Sequence, residues 1–196
     1  MSTRKESGAA EPVIEHRDQL LIPMQKGEKP REQWRIGTEH EKFVFRAEDR
    51  RAPSYDEPGG IRDILLALEK FGWEPVVEGG NIIAMSGEDG TVSLEPAGQL
   101  ELSGAPLVSL HQTCAETGRH LTQVKEVGEE LGVGFLGLGM WPDKARADLP
   151  LMPKGRYKIM LEHMPRVGTM GLDMMLRTCT IQVNLDYSSE ADMVKK

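Results

Sequence analysis

The apolar positions of this chain change period several times. In WRIGTEHEKFVF, Trp34 to Phe45, they alternate with polar ones, which predicts a strand whose successive side chains point to opposite faces. IRDILLALEKFGW instead spaces Ile61, Ile64, Leu65 and Leu68 as a helix does and closes on Gly72. EPVVEGGNIIAMSGEDGTVSLEPAGQLELS returns to short strand-like runs separated by EGGN and GEDG, and Asp89-Gly90 in the second is the strongest hairpin signal in the chain. APLVSLHQTCAETGRHLTQVKEVGEELG predicts one long helix ending at Gly132, and VGFLGLGM a buried strand. RYKIMLEHMP and TMGLDMMLR read as two helical pieces split by Pro165 and Gly168, with Met174 and Met175 in the core. TCTIQVNLDY is an alternating strand, with Thr180, Gln182 and Asn184 on one face and Cys179, Ile181, Val183 and Leu185 on the other. Towards the start, EPVIEHRDQLLIPMQKG predicts a short amphipathic helix interrupted at Pro23 and ended near Gly27.

The last residues, SSEADMVKK, read as a helix start, with Ser188 or Ser189 as N-cap and acidic residues in the first turn. Fewer residues follow than the dozen or so that an isolated helix needs, which predicts that the chain is a fragment of something longer.

The first strand carries a conflict. Alternation puts Glu39, Glu41, Phe43 and Phe45 on one face and His40, Lys42 and Val44 on the other. Phenylalanines do not belong on a solvated face, and paired glutamates do not belong in a core. A salt-bridge network or a cation has to resolve this. A second acidic pair, Glu95 and Glu101 in SLEPAGQLELSGAP, shares a face if that segment is extended, although Pro96 and Gly98 favour a bend. If the two segments are neighbouring strands, three or four carboxylates converge, and hard oxygen donors suit Mg²⁺ or Mn²⁺. Lys154, Arg156, Lys158 and Arg166 in MPKGRYKIMLEHMPR offer cationic partners for anionic groups, or equally a solvated helix start.

Composition narrows the classes. The 196 residues are enough for one domain with a good core, and 28% charged with 39% hydrophobic residues is the balance of a soluble globular chain. A net charge of -7 without a basic stripe argues against nucleic acid as a partner, and no apolar run is long enough to span a membrane. The opening MSTRKESGAAEP has no apolar core, so it is not a secretory signal; residues 1–11 are expected to be a disordered tail. Cys114 and Cys179 are far apart with no C-x-x-C spacing, which points to two reduced thiols and a cytoplasmic protein. There is no phosphate-binding glycine loop, no G-x-S-x-G and no H-E-x-x-H.

WRIGTEHEKFVF, SLEPAGQLELSGAPLVSLHQTCAE, MPKGRYKIML with MPRVGTMGLDMM, and RTCTIQVNLDYSSEADM together resemble the plant and alphaproteobacterial type of glutamate–cysteine ligase. The resemblance runs in the family's order from about Pro12 to Lys196 and implies that residues 12–196 are the N-terminal part of the catalytic domain. It implies an α+β fold with an antiparallel sheet related to that of glutamine synthetase. ATP would phosphorylate the side chain of glutamate, and the amine of cysteine would displace the phosphate. Carried over by position, Glu39, Glu41, Glu95 and Glu101 are the Mg²⁺ ligands, Arg156 and Tyr157 contact substrate, and Thr180, Gln182 and Asn184 line the same cavity. One departure is EGGNIIAM, where Asn81 stands in place of the family's lysine. Two other readings stay open: a γ-glutamyl ligase for another amine, and a metal- or ligand-binding module without catalysis. A glycosidase, which uses two carboxylates facing across a cleft, fits four clustered glutamates poorly.

Overall fold

A computed structural model describes residues 13–88 and 90–196. The expected tail at 1–11, and Asp89 of the expected hairpin turn, lie outside the described residues.

The described strands are β1 (Ile36–Arg46), β2 (Glu74–Glu78), β3 (Asn81–Gly87), β4 (Gly90–Leu94), β5 (Leu100–Gly104), β6 (Val133–Leu136) and β7 (Ile181–Leu185). The helices are α1 (Ile22–Lys26), α2 (Ile61–Ala67), α3 (Leu110–Leu131), α4 (Gly155–Val167), α5 (Gly171–Arg177) and α6 (Glu190–Lys195). The fold is α+β, an open antiparallel sheet in the order β2-β3-β4-β5-β1-β6 with β7 also paired to β1. β3 and β4 form the expected hairpin, closing at Gly87 opposite Gly90.

β1 organises the sheet. One edge pairs with β5 over Glu39–Lys42. The other is divided, with β7 taking Ile36–His40 and β6 taking Phe43–Arg46. The face carrying Val44, Met85, Val92, Leu94, Leu100 and Leu102 is buried under Ile61, Ile64, Leu65 and Leu68 from the α2 region and under Val124 and Val127 of α3. Burying such a side chain contributes about 1.5–3 kcal/mol, so this interface is the main source of stability. Ser109 caps α3 and exchanges capping-box bonds with Gln112, and Gly132 ends the helix in the left-handed region at φ 68°. On the opposite face Phe43 stacks on Trp141 with ring centroids 4.5 Å apart and packs with Ala52 and Cys179.

Several details differ from the sequence reading. Pro23 opens α1 instead of interrupting a helix, because a proline in the first turn has no hydrogen bond to lose. No residue of α1 is buried. Pro165 lies inside α4, which runs on to Val167. Met175 is core but Met174 is exposed on α5. β7 starts at Ile181, so its alternation does not reach Cys179, which turns into the Phe43 cluster; the apolar face Ile181–Val183–Leu185 is itself exposed. Ser189 caps α6, accepting from the Asp192 N–H at 3.2 Å.

Candidate active site

Register brings the acidic positions together. Glu41 lies directly opposite Glu101 across β1 and β5, and Glu39 opposite Ser103. Glu95 follows β4 in a tight turn whose Glu95 N–H donates to the Gln99 carbonyl at 2.8 Å and whose Gly98 N–H donates back to the Glu95 carbonyl at 2.9 Å. That turn folds Glu95 over the sheet. Carboxylate oxygens of Glu41, Glu95 and Glu101 lie within 4.8 Å of one another. Glu39 lies outside this group and accepts from Asn184 Nδ2 at 3.1 Å.

The polar row of β7 borders the same patch. Gln182 pairs with Glu39 in register, and Gln182 Nε2 donates to Asn184 Oδ1 at 3.1 Å. Thr180, just before β7, donates its N–H to Glu41 Oε2 at 3.0 Å. Glu39, Glu41, Glu95, Glu101, Thr180, Gln182 and Asn184 therefore form one continuous polar surface.

The basic residues divide. Arg156 reaches Glu95 at 3.6 Å from the start of α4, a contact too long for a hydrogen bond, and Glu95 Oε1 is buried without a hydrogen-bond partner. Tyr157, expected to touch substrate, stands behind the patch: it is buried and its hydroxyl donates to the Leu94 carbonyl. A helical position one residue after Arg156 turns into the core, which the GRY motif by itself does not show. Lys154 is buried beside it and donates to the same carbonyl at 2.6 Å.

The electrostatics follow from this crowding. Burial, then Glu101, pushes the Glu95 carboxyl up from 4.5 to about 7, against the pull of Lys154 and Arg156. Burial raises Glu41 too, opposed by the Thr180 N–H and aided by Glu101 and Glu39. Burial and Arg156 lower the Lys154 ammonium to about 8, although Glu95 and Glu101 support its charge. Three carboxylates at this spacing, one with an orphaned buried oxygen, are a donor set suited to a hard divalent cation.

Two residues escaped the sequence reading. Gln99 is buried, accepts the Ala97 N–H at 2.8 Å and donates to the Thr178 carbonyl at 2.9 Å, tying the turn that carries Glu95 to the segment leading into β7. Lys42 is buried beneath Glu41 and Glu101, and burial lowers its ammonium to about 8 while Cys179, Glu101 and Glu41 favour the charged form. The sequence places Lys42 between His40 and Val44 on one face of the strand and does not mark it as buried.

A family model described as glutamate-cysteine ligase family 2 matches residues 35–196. The chain belongs to that family. It is 55% identical to the rice (Oryza sativa subsp. japonica) protein named glutamate–cysteine ligase A, chloroplastic, over 96% of this chain and 40% of the rice protein. The Brassica juncea protein named glutamate–cysteine ligase, chloroplastic, is 56% identical over 96% of this chain and 36% of its own length. For the Arabidopsis thaliana protein of that name the values are 55%, 96% and 35%. The chain thus spans well under half the length of these relatives. Their names correct the cytoplasmic placement, since each is called chloroplastic. That placement rested on cysteine usage and on a polar opening, and neither decides between cytosol and plastid, because transit peptides also lack an apolar core. Among the described residues, no helix is long and apolar enough to cross a membrane.

Proposed function

We propose that this chain supplies the cation-binding sheet of an ATP-dependent ligase that joins the γ-carboxylate of glutamate to the amine of cysteine, the first step of glutathione synthesis. The observation that carries this reading is the convergence of Glu41, Glu95 and Glu101 in a chain of the glutamate-cysteine ligase family. The activity is proposed for a protein of its relatives' length, with residues 12–196 as an N-terminal part of the catalytic domain.

In this reading Glu41, Glu95 and Glu101, with Glu39 beside them, would hold Mg²⁺ or Mn²⁺. Held there, a divalent cation would supply the charge neutralisation that the phosphates of ATP need beside a carboxylate substrate. A γ-carboxylate oxygen of glutamate attacks the terminal phosphorus, ADP leaves, and γ-glutamyl phosphate forms. The cysteine amine then attacks the acyl carbon, phosphate leaves, and a proton is lost from nitrogen. Phosphoryl transfer of this kind is largely positioning and charge stabilisation, which fits a site with no serine or cysteine nucleophile among these residues. Arg156 grips an anionic group of a substrate, since its guanidinium is only loosely engaged by Glu95. Thr180, Gln182 and Asn184 offer neutral hydrogen bonds along the wall of β7. Lys154 and Tyr157 act from behind, both fixing the Leu94 carbonyl at the root of the Glu95 turn.

The test is ATP-dependent phosphate release, run on this chain and on a version carrying the full length of its relatives. The longer protein is expected to turn over glutamate with cysteine and not glutamate with putrescine. Equal rates with both amines would replace cysteine by amines in general; no release with either would remove the ligase reading.

A further inference from the structure

We infer that Glu78, at the turn between β2 and β3, is a positioning residue for Arg156: its carboxylate holds the backbone at the start of α4 and so sets where the Arg156 guanidinium points. The inference rests on the proposed ligase function, in which Arg156 grips a substrate anion.

The start of α4 does not cap itself. Its N-cap position is Lys154, whose side chain has donors but no acceptor and makes no capping bond. No acidic residue lies in the first turn. Lys154, Arg156 and Lys158 instead place positive charge at the end of the helix where the macrodipole is already positive. Glu78 supplies what is missing from 77 residues away. Its Oε1 accepts the Gly155 N–H at 2.8 Å, which satisfies the first helical donor and brings a negative charge to the helix start.

The hairpin presents this carboxylate firmly. Gly79 and Gly80, at φ 56° and 83°, form the tight turn with positive φ at both positions that suits a short hairpin, and Glu78 stays paired with Asn81 at the end of β2. Gly155 lets the carboxylate come close, since a Cβ there would stand 3.2 Å from Oε1.

Arg156 depends on its backbone because its side chain is weakly held. Its Nη2 lies 3.4 Å from the Tyr157 hydroxyl and 3.6 Å from Glu95, and its Nε is buried without a hydrogen-bond partner. Lys154 and Tyr157 anchor the far ends of their own side chains on the Leu94 carbonyl. Among the described residues, Glu78 is the side chain that bonds the backbone of this first turn. The turn that carries Glu95 has a separate anchor in Gln99, so the acidic patch keeps its shape without Glu78.

The test compares Glu78→Ala and Glu78→Gln in a protein of its relatives' length, by phosphate release with glutamate, cysteine, ATP and Mg²⁺. The substrate whose KM rises in Arg156→Met should also show a KM about fivefold higher in Glu78→Ala, the size of a lost helix cap, with kcat unchanged. Glu78→Gln keeps an acceptor oxygen and should stay within about twofold of the parent. In an Arg156→Met background, Glu78→Ala should raise that KM no further. The Mg²⁺ concentration for half-maximal rate should not move. Equal losses in the Ala and Gln variants, a fall in kcat in place of a rise in KM, full additivity with Arg156→Met, or a shifted Mg²⁺ midpoint would overturn the inference. Hydrogen exchange on this chain separates its failure from that of the ligase function. The Gly155 amide should exchange about fivefold faster in Glu78→Ala, and an unchanged rate would remove the cap whatever the activity. No turnover in the parent would remove the ligase function and, with it, the substrate role of Arg156.

Discussion

Glu95→Gln removes one negative charge from the acidic patch while keeping the shape of the side chain, and it sets two effects against each other. The first is release from crowding. The Glu95 carboxyl stands at about 7 instead of 4.5, chiefly through burial and next through Glu101. A carboxyl raised in this way holds its proton more tightly in the fold than in the unfolded chain. Its stabilisation is therefore complete below about pH 4.5 and is lost as the pH rises through about 7. At about 1.4 kcal/mol per pH unit, the gap from 4.5 to about 7 corresponds to a cost of about 3 kcal/mol above pH 8. The second effect is the loss of the contact with Arg156, which at 3.6 Å and 37% exposure is worth about 0–1 kcal/mol.

The release from crowding wins. At pH 8 with a chelator, Glu95→Gln should be about 2 kcal/mol more stable than the parent, a rise in Tm of roughly 4–8 °C for a chain of this size. At pH 4.5 the two should melt together. Mg²⁺ or Mn²⁺ at a hundredfold its Kd should add about 2.7 kcal/mol to the parent and much less to the variant, reversing their order. Urea titrations followed by tryptophan fluorescence at both pH values, with chelator or metal, measure all of this. A variant destabilised by about 3–5 kcal/mol at pH 8 without metal, as expected for a broken buried ion pair, would refute the reasoning. So would equal stabilisation of both proteins by metal.

Three further outcomes are expected. At Glu57, desolvation is outweighed by hydrogen bonds from Arg51, Arg46 and Ser54, which hold the carboxyl near 2; Glu57→Gln should cost roughly 1–2 kcal/mol at pH 7, with Arg51 half exposed, and urea melts should show the gap closing between about pH 4.5 and 2. Gln99→Leu strands the Ala97 N–H and the Thr178 carbonyl, so it should cost roughly 1–3 kcal/mol and raise the metal concentration for half-maximal stabilisation several-fold; a melt that moves without the metal midpoint would reduce Gln99 to packing. Gly104→Ala should destabilise by roughly 1–3 kcal/mol because its Cβ meets the Glu116 carboxylate and, at 3.1 Å, the Thr38 carbonyl, whereas Gly118→Ala in α3 meets nothing and should gain roughly 0.5–1 kcal/mol in the same melts.

Alternation in β1 was enough to sort its side chains into two faces, because the period of a strand is two whatever its neighbours do. It placed Glu39 and Glu41 with Phe43, and the structure keeps them so. What the sequence does not contain is register. That Glu41 faces Glu101 depends on how β5 returns past β1, and that Glu95 joins them depends on a turn held shut by its own backbone and by Gln99. Met174 and Met175 could not be told apart because α5 has too few turns for its apolar period to show. Lys42 was hidden for a related reason: its burial comes from α3 covering its face of the sheet, a property of the tertiary fold.

The conflict on the first strand has its answer in the same geometry. Within two residues the partner of one face changes from Glu101 and the Thr180 N–H, which meet Glu41, to Trp141, which stacks on Phe43. Aromatic and acid are each matched, so the strand is not frustrated as a whole. The remaining cost is local: Arg156 contacts Glu95 without a hydrogen bond, and Glu41 and Glu95 both have raised pKa values. A salt-bridge network built for stability would have paired these oxygens more closely. The patch instead leaves repulsion that a divalent cation is suited to offset, which makes metal-dependent stability the most direct measure of what these glutamates are for.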